Sequence, residues 1–187
     1  AQSHIGLARA LARDPQMRER RRAIITAPAS VRSVGEAVMA ADRLLETAKA
    51  QADAQVSERN AREKAELMRQ LGMDEGESAT KASRTMIRQL EEDQKRRSKR
   101  ALTDAIDRAL IDLLAIYRDV LMVQVGGDGE LINTDLADLV SQIARDSTPR
   151  QTLARVDHIE TARKRLVSNG NPMLVLEDMA ISLRPQA

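Results

Sequence analysis

The sequence predicts an all-α protein, and its composition, the spacing of its apolar residues and its helix-ending residues all indicate this class. Apolar residues make up 42% of the 187 residues, which is enough for a hydrophobic core, but the only Phe, Trp or Tyr is Tyr117. Aromatic and β-branched residues favour strands, whereas Ala, Leu, Arg, Glu, Gln and Met favour helices. The length suits one elongated domain, or one domain with a fragment of another.

The first thirty residues predict two short helices. Residues 3–13 form an amphipathic pattern, and because the chain opens inside this pattern we expect further sequence to precede it. Asp14 followed by Pro15 predicts the start of the second helix, since Asp caps helix N-termini and Pro suits the first helical position. We expect this helix to end near Thr26, because Pro28 follows and Pro breaks helices.

Two long helices are predicted in the middle of the chain. Over residues 34–52, apolar residues recur at alternating spacings of four and three, which is typical of a coiled-coil seam, and we expect this helix to continue to Leu71. Gly72 is a natural helix stop, and Asp74 with Glu77 forms a capping-box pattern for the next helix. That helix is expected to span about residues 78–125.

Both long helices are polar where they approach each other in sequence, over residues 53–100, and apolar elsewhere. A helix of about 40 residues is roughly 60 Å long at ~1.5 Å per residue, whereas a compact domain of this size has a radius of gyration of roughly 16 Å. We therefore predict an antiparallel helical hairpin over residues 53–100 that projects as an arm. The alternative is a helix break at residues 53–59, followed by a disordered polar insert.

Three shorter helices are expected after the Gly-rich loop at residues 126–129. Asn133 or Thr134 caps the first, Thr-Pro at residues 148–149 starts the second, and Asn-Gly-Asn-Pro at residues 169–172 ends the second and starts the third. The apolar residues predicted to lie inside the second of these helices are Leu153, Val156, Ile159, Ala162, Leu166 and Val167.

These C-terminal helices carry apolar residues on more than one face, as Val175, Met179 and Ile181 illustrate. A helix that is apolar over much of its circumference is usually buried on several sides. A small bundle cannot bury all its helices in this way, so the pattern indicates that partner proteins cover part of this surface.

The sequence shows no nucleotide-binding, metal-binding or catalytic motif. It contains no phosphate-binding G-x-x-x-x-G-K-[ST] motif, and its two histidines, His4 and His158, are too far apart in sequence to form a metal-binding cluster. The carboxylates at residues 91–93 are typical of a solvated helix face rather than a catalytic pair. We therefore expect no catalysis by this stretch, no cofactor, no metal and no small-molecule substrate.

Cysteine is absent and no apolar run has the length of a membrane helix, so we expect a cytoplasmic protein without membrane contact. The net charge of +2 does not by itself define a nucleic-acid binder. One basic run could contact DNA phosphates, although a solvated helix face is the favoured explanation for it. This run consists of Lys95, Arg96, Arg97, Lys99 and Arg100.

Two motifs carry a resemblance to a known family. The first is Val156-x-x-Ile159-x-x-Ala162-Arg163-x-x-Leu166-x-x-Asn169-x-Asn171-Pro172-x-Leu174-x-Leu176-Glu177, and the second is Leu113-Leu114-Ala115-Ile116-Tyr117-Arg118-Asp119-Val120-Leu121. Together they cover roughly residues 113–183. They resemble the closing helices of AAA+ clamp-loader subunits of bacterial DNA polymerase III, in which an Asn-x-Asn turn joins the last two helices.

The N-terminal residues are similar to the segment that carries the sensor-2 helix in AAA+ clamp loaders. ATP-hydrolysing members of the family place an Arg there, whereas this sequence has Gly6 at the matching position. The absence of that Arg favours the delta-prime family over the ATP-hydrolysing gamma/tau subunits. The resemblance therefore implies a remnant of a AAA+ lid domain at residues 1–28 and a helical collar domain at residues 29–187, with no nucleotide site in this stretch.

The resemblance implies that the protein is a stator that joins the other subunits, delta and gamma/tau, through its collar helices. The assembly loads the sliding clamp on primer-template DNA with ATP bound elsewhere, so clamp and DNA are indirect partners in the replisome. The residues expected at the subunit interfaces are Tyr117, Leu121, Leu166, Asn169, Asn171, Pro172, Leu174, Leu176, Glu177, Met179 and Leu183. A gamma/tau collar and an unrelated coiled-coil scaffold remain the alternatives.

Overall fold

The computed structural model describes residue 9, residues 12–72 and residues 80–184. In these parts every regular element is helical, which confirms the predicted all-α class. The elements are α1 (Pro15–Ser30), α2 (Val34–Gln70), α3 (Lys81–Gln124), a 3-10 turn (Thr134–Leu136), α4 (Ala137–Arg145), α5 (Pro149–Val167) and α6 (Pro172–Leu183). The helix predicted over residues 3–13 lies mostly outside the described residues, and so do Asp74 and Glu77.

Side-chain caps determine where α1 and α5 begin. The Asp14 carboxylate accepts hydrogen bonds from the backbone N–H groups of Gln16 and Met17 at the start of α1, as predicted. At the start of α5, the Thr148 hydroxyl accepts from the backbone N–H of Gln151 in a complete capping box. These bonds satisfy N–H groups that the first turn of a helix would otherwise leave unpaired.

The predicted end of α1 near Thr26 is wrong, because α1 continues to Ser30 with Pro28 inside it. Pro28 has no N–H to donate, and a Pro inside a helix costs about 3 kcal/mol. Burial offsets this cost, since Ile25 and Val31 on either side of Pro28 are 2% and 4% exposed. Tertiary packing therefore outweighs the local preference.

Asn133 does not cap the helix that follows it, although the sequence made it a candidate for that role. Its side chain makes no capping hydrogen bond, and the helix opens instead with the 3-10 turn before α4 begins at Ala137. The Asn133 amide is 1% exposed and bonds to Asp119. A buried carboxylate on another helix therefore competes successfully for this side chain.

The described residues fall into two compact units. The first unit combines the residues up to Thr47 with those from Ile106 onward, and the second comprises residues 48–105. The division into a lid remnant and a collar domain stays a prediction.

The core of the first unit lies along the C-terminal half of α3. Ile116 and Val120 of α3 pack with Ile25 of α1, with Leu136 of the 3-10 turn and with Val140 of α4, and all five are at most 4% exposed. Helices α5 and α6 pack against each other in the same unit. This core holds α1, α3 and α4 together.

The second unit pairs the C-terminal part of α2 with the N-terminal part of α3. Val56 clusters with Ala101, the Asn60 side chain accepts a 2.7 Å hydrogen bond from Arg97, and Lys64 lies 3.8 Å from Glu91. Residue numbers rise along α2 as they fall along α3, so the two segments run antiparallel. Helix α2 is continuous through residues 53–59, so the alternative of a helix break there is wrong. Projection of this unit as an arm stays a prediction.

Candidate interaction surface

The turn between α5 and α6 is held by a complete set of backbone hydrogen bonds. Asn169 adopts a left-handed conformation with φ of 63°, its N–H donates to the Leu166 carbonyl at 3.1 Å, and the Gly170 N–H donates to the Arg165 carbonyl at 2.8 Å. This pair of bonds is the Schellman arrangement that ends helices. Asn171 then caps α6 by accepting from the N–H groups at residues 173 and 174, as predicted. The turn is therefore a rigid feature.

Two large apolar side chains flank this turn and are exposed to solvent. Val167, the last residue of α5, is 78% exposed, and Leu174 in the first turn of α6 is 64% exposed. We call these two residues the turn patch. A rigid turn that presents apolar side chains to water is suited to binding another protein surface, since ordering it costs little additional entropy.

Gly170 is the position in the turn that is most sensitive to substitution. A Cβ atom there would lie 2.8 Å from the Arg165 carbonyl oxygen and 3.0 Å from Cγ2 of Val175. We expect Gly170→Ala to lower the free energy of unfolding by about 1–3 kcal/mol, because neither the backbone nor the buried Val175 can move away freely. Urea denaturation measures the change. Gly35→Ala is the control and should cause no loss, because the nearest atom to the added Cβ, the Ser33 hydroxyl oxygen, would lie 4.0 Å away.

Ion pairs fasten α5 to its neighbours. Arg163 makes two bonds to the Asp107 carboxylate of α3, at 2.7 and 3.3 Å, and the hydrogen bond to Asp107 raises the pKa of Arg163 above its usual value. Arg165 lies 2.5 Å from Asp178 and so joins α5 to α6. These bonds link α5 to α3 and to α6.

A buried carboxylate organises the loop between α3 and α4. Asp119 is fully buried, and its two oxygens accept hydrogen bonds from Arg118, from the backbone N–H of Ile132, and from both the backbone N–H and the side-chain amide of Asn133. Burial raises the pKa of Asp119, but the hydrogen bonds lower it by more, so its pKa lies below the usual value. Asp119 is therefore a stable anion at the centre of this loop.

Arg21 extends this network to α1. It donates to Asp112 at 3.0 Å and to the Asn133 side-chain oxygen at 2.6 Å. One chain of hydrogen bonds thus links α1, α3 and the loop before α4.

The C-terminal helices match a known protein family. A family model described as "DNA polymerase III, delta subunit, C terminal" matches residues 77–184. This match covers more than half of the chain. The chain belongs to this family. The matched range contains α3 to α6 and therefore the turn patch.

One relative extends the comparison. Over 72 residues the chain is 38% identical to DNA polymerase III subunit delta' from Bacillus subtilis (strain 168), which covers 38% of this chain and 22% of that protein. The resemblance predicted from the two C-terminal motifs is confirmed. The match spans less than a quarter of the relative's length. No solved structure matches the chain.

Within this family chain, the predicted interface residues fall into three groups by exposure. Those buried in the chain's own core are Tyr117, Leu166, Leu176, Met179 and Leu183. Those half-buried are Leu121, Pro172 and Glu177, and those exposed are Asn169, Asn171 and Leu174. The exposed group clusters at the turn between α5 and α6, while the buried group belongs to the core of the first unit. Their role at subunit interfaces stays a prediction.

The six apolar residues predicted to lie inside α5 are all within it, but they are not all buried. Leu153 and Val167 are 49% and 78% exposed, because a face with spacings of three and four turns other residues inward. The buried residues of α5 are Thr152, Arg155, Ile159, Ala162 and Leu166. These five residues form the core stripe of α5, and Arg155 is one of them. Their spacing of three and four residues is the sequence feature that could have predicted the burial of Arg155.

The environment of Arg155 is unusual. Its side chain lies over the ring of Tyr117, 5.9 Å from the ring centre, and the residue is 7% exposed. Burial raises the pKa of Tyr117 to about 12, with the Arg155 charge opposing this rise, so the phenol stays neutral. Among the described residues, no carboxylate lies within ion-pair distance of Arg155.

The basic run in the second unit is partly neutralised by neighbouring acids. Arg97 pairs with Glu63 at 2.8 Å, and Arg96 pairs with Asp93. Hydrogen bonds from Arg97 and then Arg59 lower the pKa of Glu63 to about 2. Lys95, Lys99 and Arg100 are exposed, and contact of this run with DNA stays a prediction.

Further predictions concern metals and nucleotides. The described residues contain no group of three or more His, Cys, Asp or Glu side chains that could hold a metal ion. Gly6, the residue at the suspected sensor-2 position, lies outside the described residues, and so does His4.

Proposed function

We propose that this chain is the C-terminal assembly region of a clamp-loader subunit of the delta-prime type. It joins the other subunits, delta and gamma/tau, through its C-terminal helices and carries out no catalysis itself. The complete assembly loads the sliding clamp on primed DNA with ATP bound by other parts. The family match and the bacterial relative support the type of subunit.

The observation that carries the assembly role is the turn patch. Full burial of a Val or Leu side chain contributes about 1.5–3 kcal/mol, and both Val167 and Leu174 are mostly exposed in this chain. The Schellman bonds and the Asn171 cap hold the patch in one conformation, which limits the entropy lost on binding. A subunit that covers the patch would therefore gain binding energy that this chain alone does not use.

Reconstitution of the assembly tests this function. The protein is mixed at micromolar concentration with the delta and gamma/tau subunits of the same organism and separated by size exclusion. We expect co-migration for the wild-type protein, and binding about tenfold weaker or more for Leu174→Ser and Val167→Ser, since each removes apolar area from the contact.

Met39→Ser is the matched control. Met39 is 59% exposed on α2 and is not part of the turn patch, so its substitution should leave binding unchanged. Absence of co-migration for the wild-type protein would reject the assembly role. A complete phosphate-binding motif in the sequence that precedes this chain would instead identify a gamma/tau subunit.

A further inference from the structure

Arg155 carries a positive charge that no described carboxylate pairs with. This residue lies in the core stripe of α5 at 7% exposure, yet no described carboxylate is within ion-pair distance of it. Its nitrogens keep contact with solvent only through the cavity that they line, so this mostly buried cation is available to pair with a carboxylate from another chain. The neutral ring of Tyr117 lies beside the guanidinium but carries no negative charge to balance it.

Arg155 lines a cavity of about 240 Å³ in the first unit. The charged residues of the lining are Arg155, Arg32 and Asp146, which leaves one positive charge in excess. Arg32 donates to the carbonyls of Ala29 and Val31 through one nitrogen, so its guanidinium is held at this cavity with further N–H groups to donate. The cavity is therefore suited to a group that carries a single negative charge.

A second cavity, of about 340 Å³, adjoins the first. Both are lined by Pro28 and Leu183, but the second is mostly apolar and has many small residues in its wall. Examples are Ala23, Ala27, Ala40, Ala41 and Ala180. Small side chains leave space for a large apolar side chain from outside.

From these two neighbouring cavities we infer that the first unit binds a segment of a partner subunit in which an acidic residue lies next to a large apolar residue. The carboxylate enters the first cavity and pairs with Arg155 and Arg32. The apolar side chain enters the alanine-walled cavity across Pro28 and Leu183. The inference deepens the proposed assembly function and rests on it.

The lining favours a carboxylate over a phosphate group. A phosphate monoester carries about −1.5 to −2 charge at neutral pH, which would exceed the single positive charge of the lining and repel Asp146. A carboxylate carries one negative charge and matches the planar guanidinium through two parallel hydrogen bonds. The adjoining apolar cavity favours a peptide over a free small anion, because only a peptide supplies both groups.

Binding measurements with Arg155→Met test the inference directly. The reconstituted assembly is formed with wild-type protein, with Arg155→Met and with Arg150→Met, and the dissociation constant is measured for each. Arg150 lies on the same helix and is exposed, so its substitution removes the same charge from the surface. We expect Arg155→Met to weaken assembly about thirtyfold or more, as loss of a buried charged partner does, and Arg150→Met to change it less than about twofold.

The stability of the unassembled protein separates binding from folding. Replacement of an unpaired buried cation by an apolar side chain of similar size should leave the melting temperature unchanged or higher. If Arg155→Met lowers the melting temperature and the affinity together, Arg155 is a structural residue and the inference fails. Arg155→Lys keeps the positive charge but lacks the two parallel N–H donors of a guanidinium. Its affinity should therefore lie between that of Arg155→Met and that of the wild-type protein.

Cross-linking identifies the bound segment. The chain has no cysteine, so Gln142→Cys at the edge of the first cavity can carry a thiol-linked benzophenone within the assembly. We expect the linked peptide to contain Asp or Glu beside a large apolar residue. A linked peptide without an acidic residue overturns the inference.

If the wild-type protein forms no assembly, the proposed function fails as well. If it assembles and Arg155→Met assembles equally well, only the two-cavity inference fails.

Discussion

Asp119→Ala is expected to lower the free energy of unfolding by about 3–5 kcal/mol, since it removes a buried charged acceptor from a network that has no substitute for it. The substitution would leave the backbone N–H groups of Ile132 and Asn133 and the Asn133 side-chain amide without their acceptor. Because Asn133 also accepts from Arg21, the loss should loosen α1 as well as the loop. Urea denaturation followed by circular dichroism measures the change.

Asp128→Ala is the matched control, because Asp128 is exposed in the same loop. Its substitution should stay within about 0.5 kcal/mol of the wild-type protein. A loss below about 1 kcal/mol for Asp119→Ala would mean that water replaces the carboxylate in the network.

The same carboxylate makes stability depend on pH in a defined direction. The folded pKa of Asp119 lies below the usual 3.8, so its contribution to stability is complete above the unfolded pKa and is lost as the pH falls through the folded pKa. The difference in free energy of unfolding between the wild-type protein and Asp119→Asn should therefore be constant near neutral pH. It should shrink only in strong acid. A difference that shrinks between pH 6 and 8 would contradict a lowered pKa.

Features that depend on neighbouring residues in sequence could be predicted. Asp14, Thr148 and Asn171 cap their helices as expected, because a cap needs only a polar side chain and the N–H groups two or three residues ahead. The apolar spacing that begins at Val34 and the helix stop at Gly72 together predicted the long helix α2 to within a residue at each end. Each of these helix ends could be predicted because the residues that determine it lie close to it in sequence.

Features that depend on distant partners could not be predicted in this way. Pro28 remains inside α1 because buried neighbours hold the helix, and Asn133 turns away from its helix because Asp119 accepts its amide. Arg155 lies in the core stripe of α5, where charge alone would have placed it on the surface. In each case a tertiary contact, invisible in the local sequence, is worth more than the local preference.

The apolar residues of α6 illustrate the same limit for the candidate site. Leu174 and Leu176 both belong to the motif that carries the family resemblance, and the sequence gives no reason to separate them. In the structure Leu174 is 64% exposed, whereas Leu176 is fully buried. Residues two positions apart on a helix point in different directions, so one supports the fold while the other is available to a partner.

Leu176→Ala is therefore expected to lower the free energy of unfolding by about 2–5 kcal/mol, because the missing methyl groups leave a cavity in a closely packed core. Leu174→Ala, the same change on the same helix, should alter stability by less than about 0.5 kcal/mol. Urea denaturation of the two variants in parallel measures both values. Equal losses would mean that Leu174 is packed within the chain and not available to a partner. If Leu174→Ala weakens subunit assembly at unchanged stability, the turn patch acts in binding, and the effect of Leu176→Ala on assembly then follows from the loss of the fold that presents it.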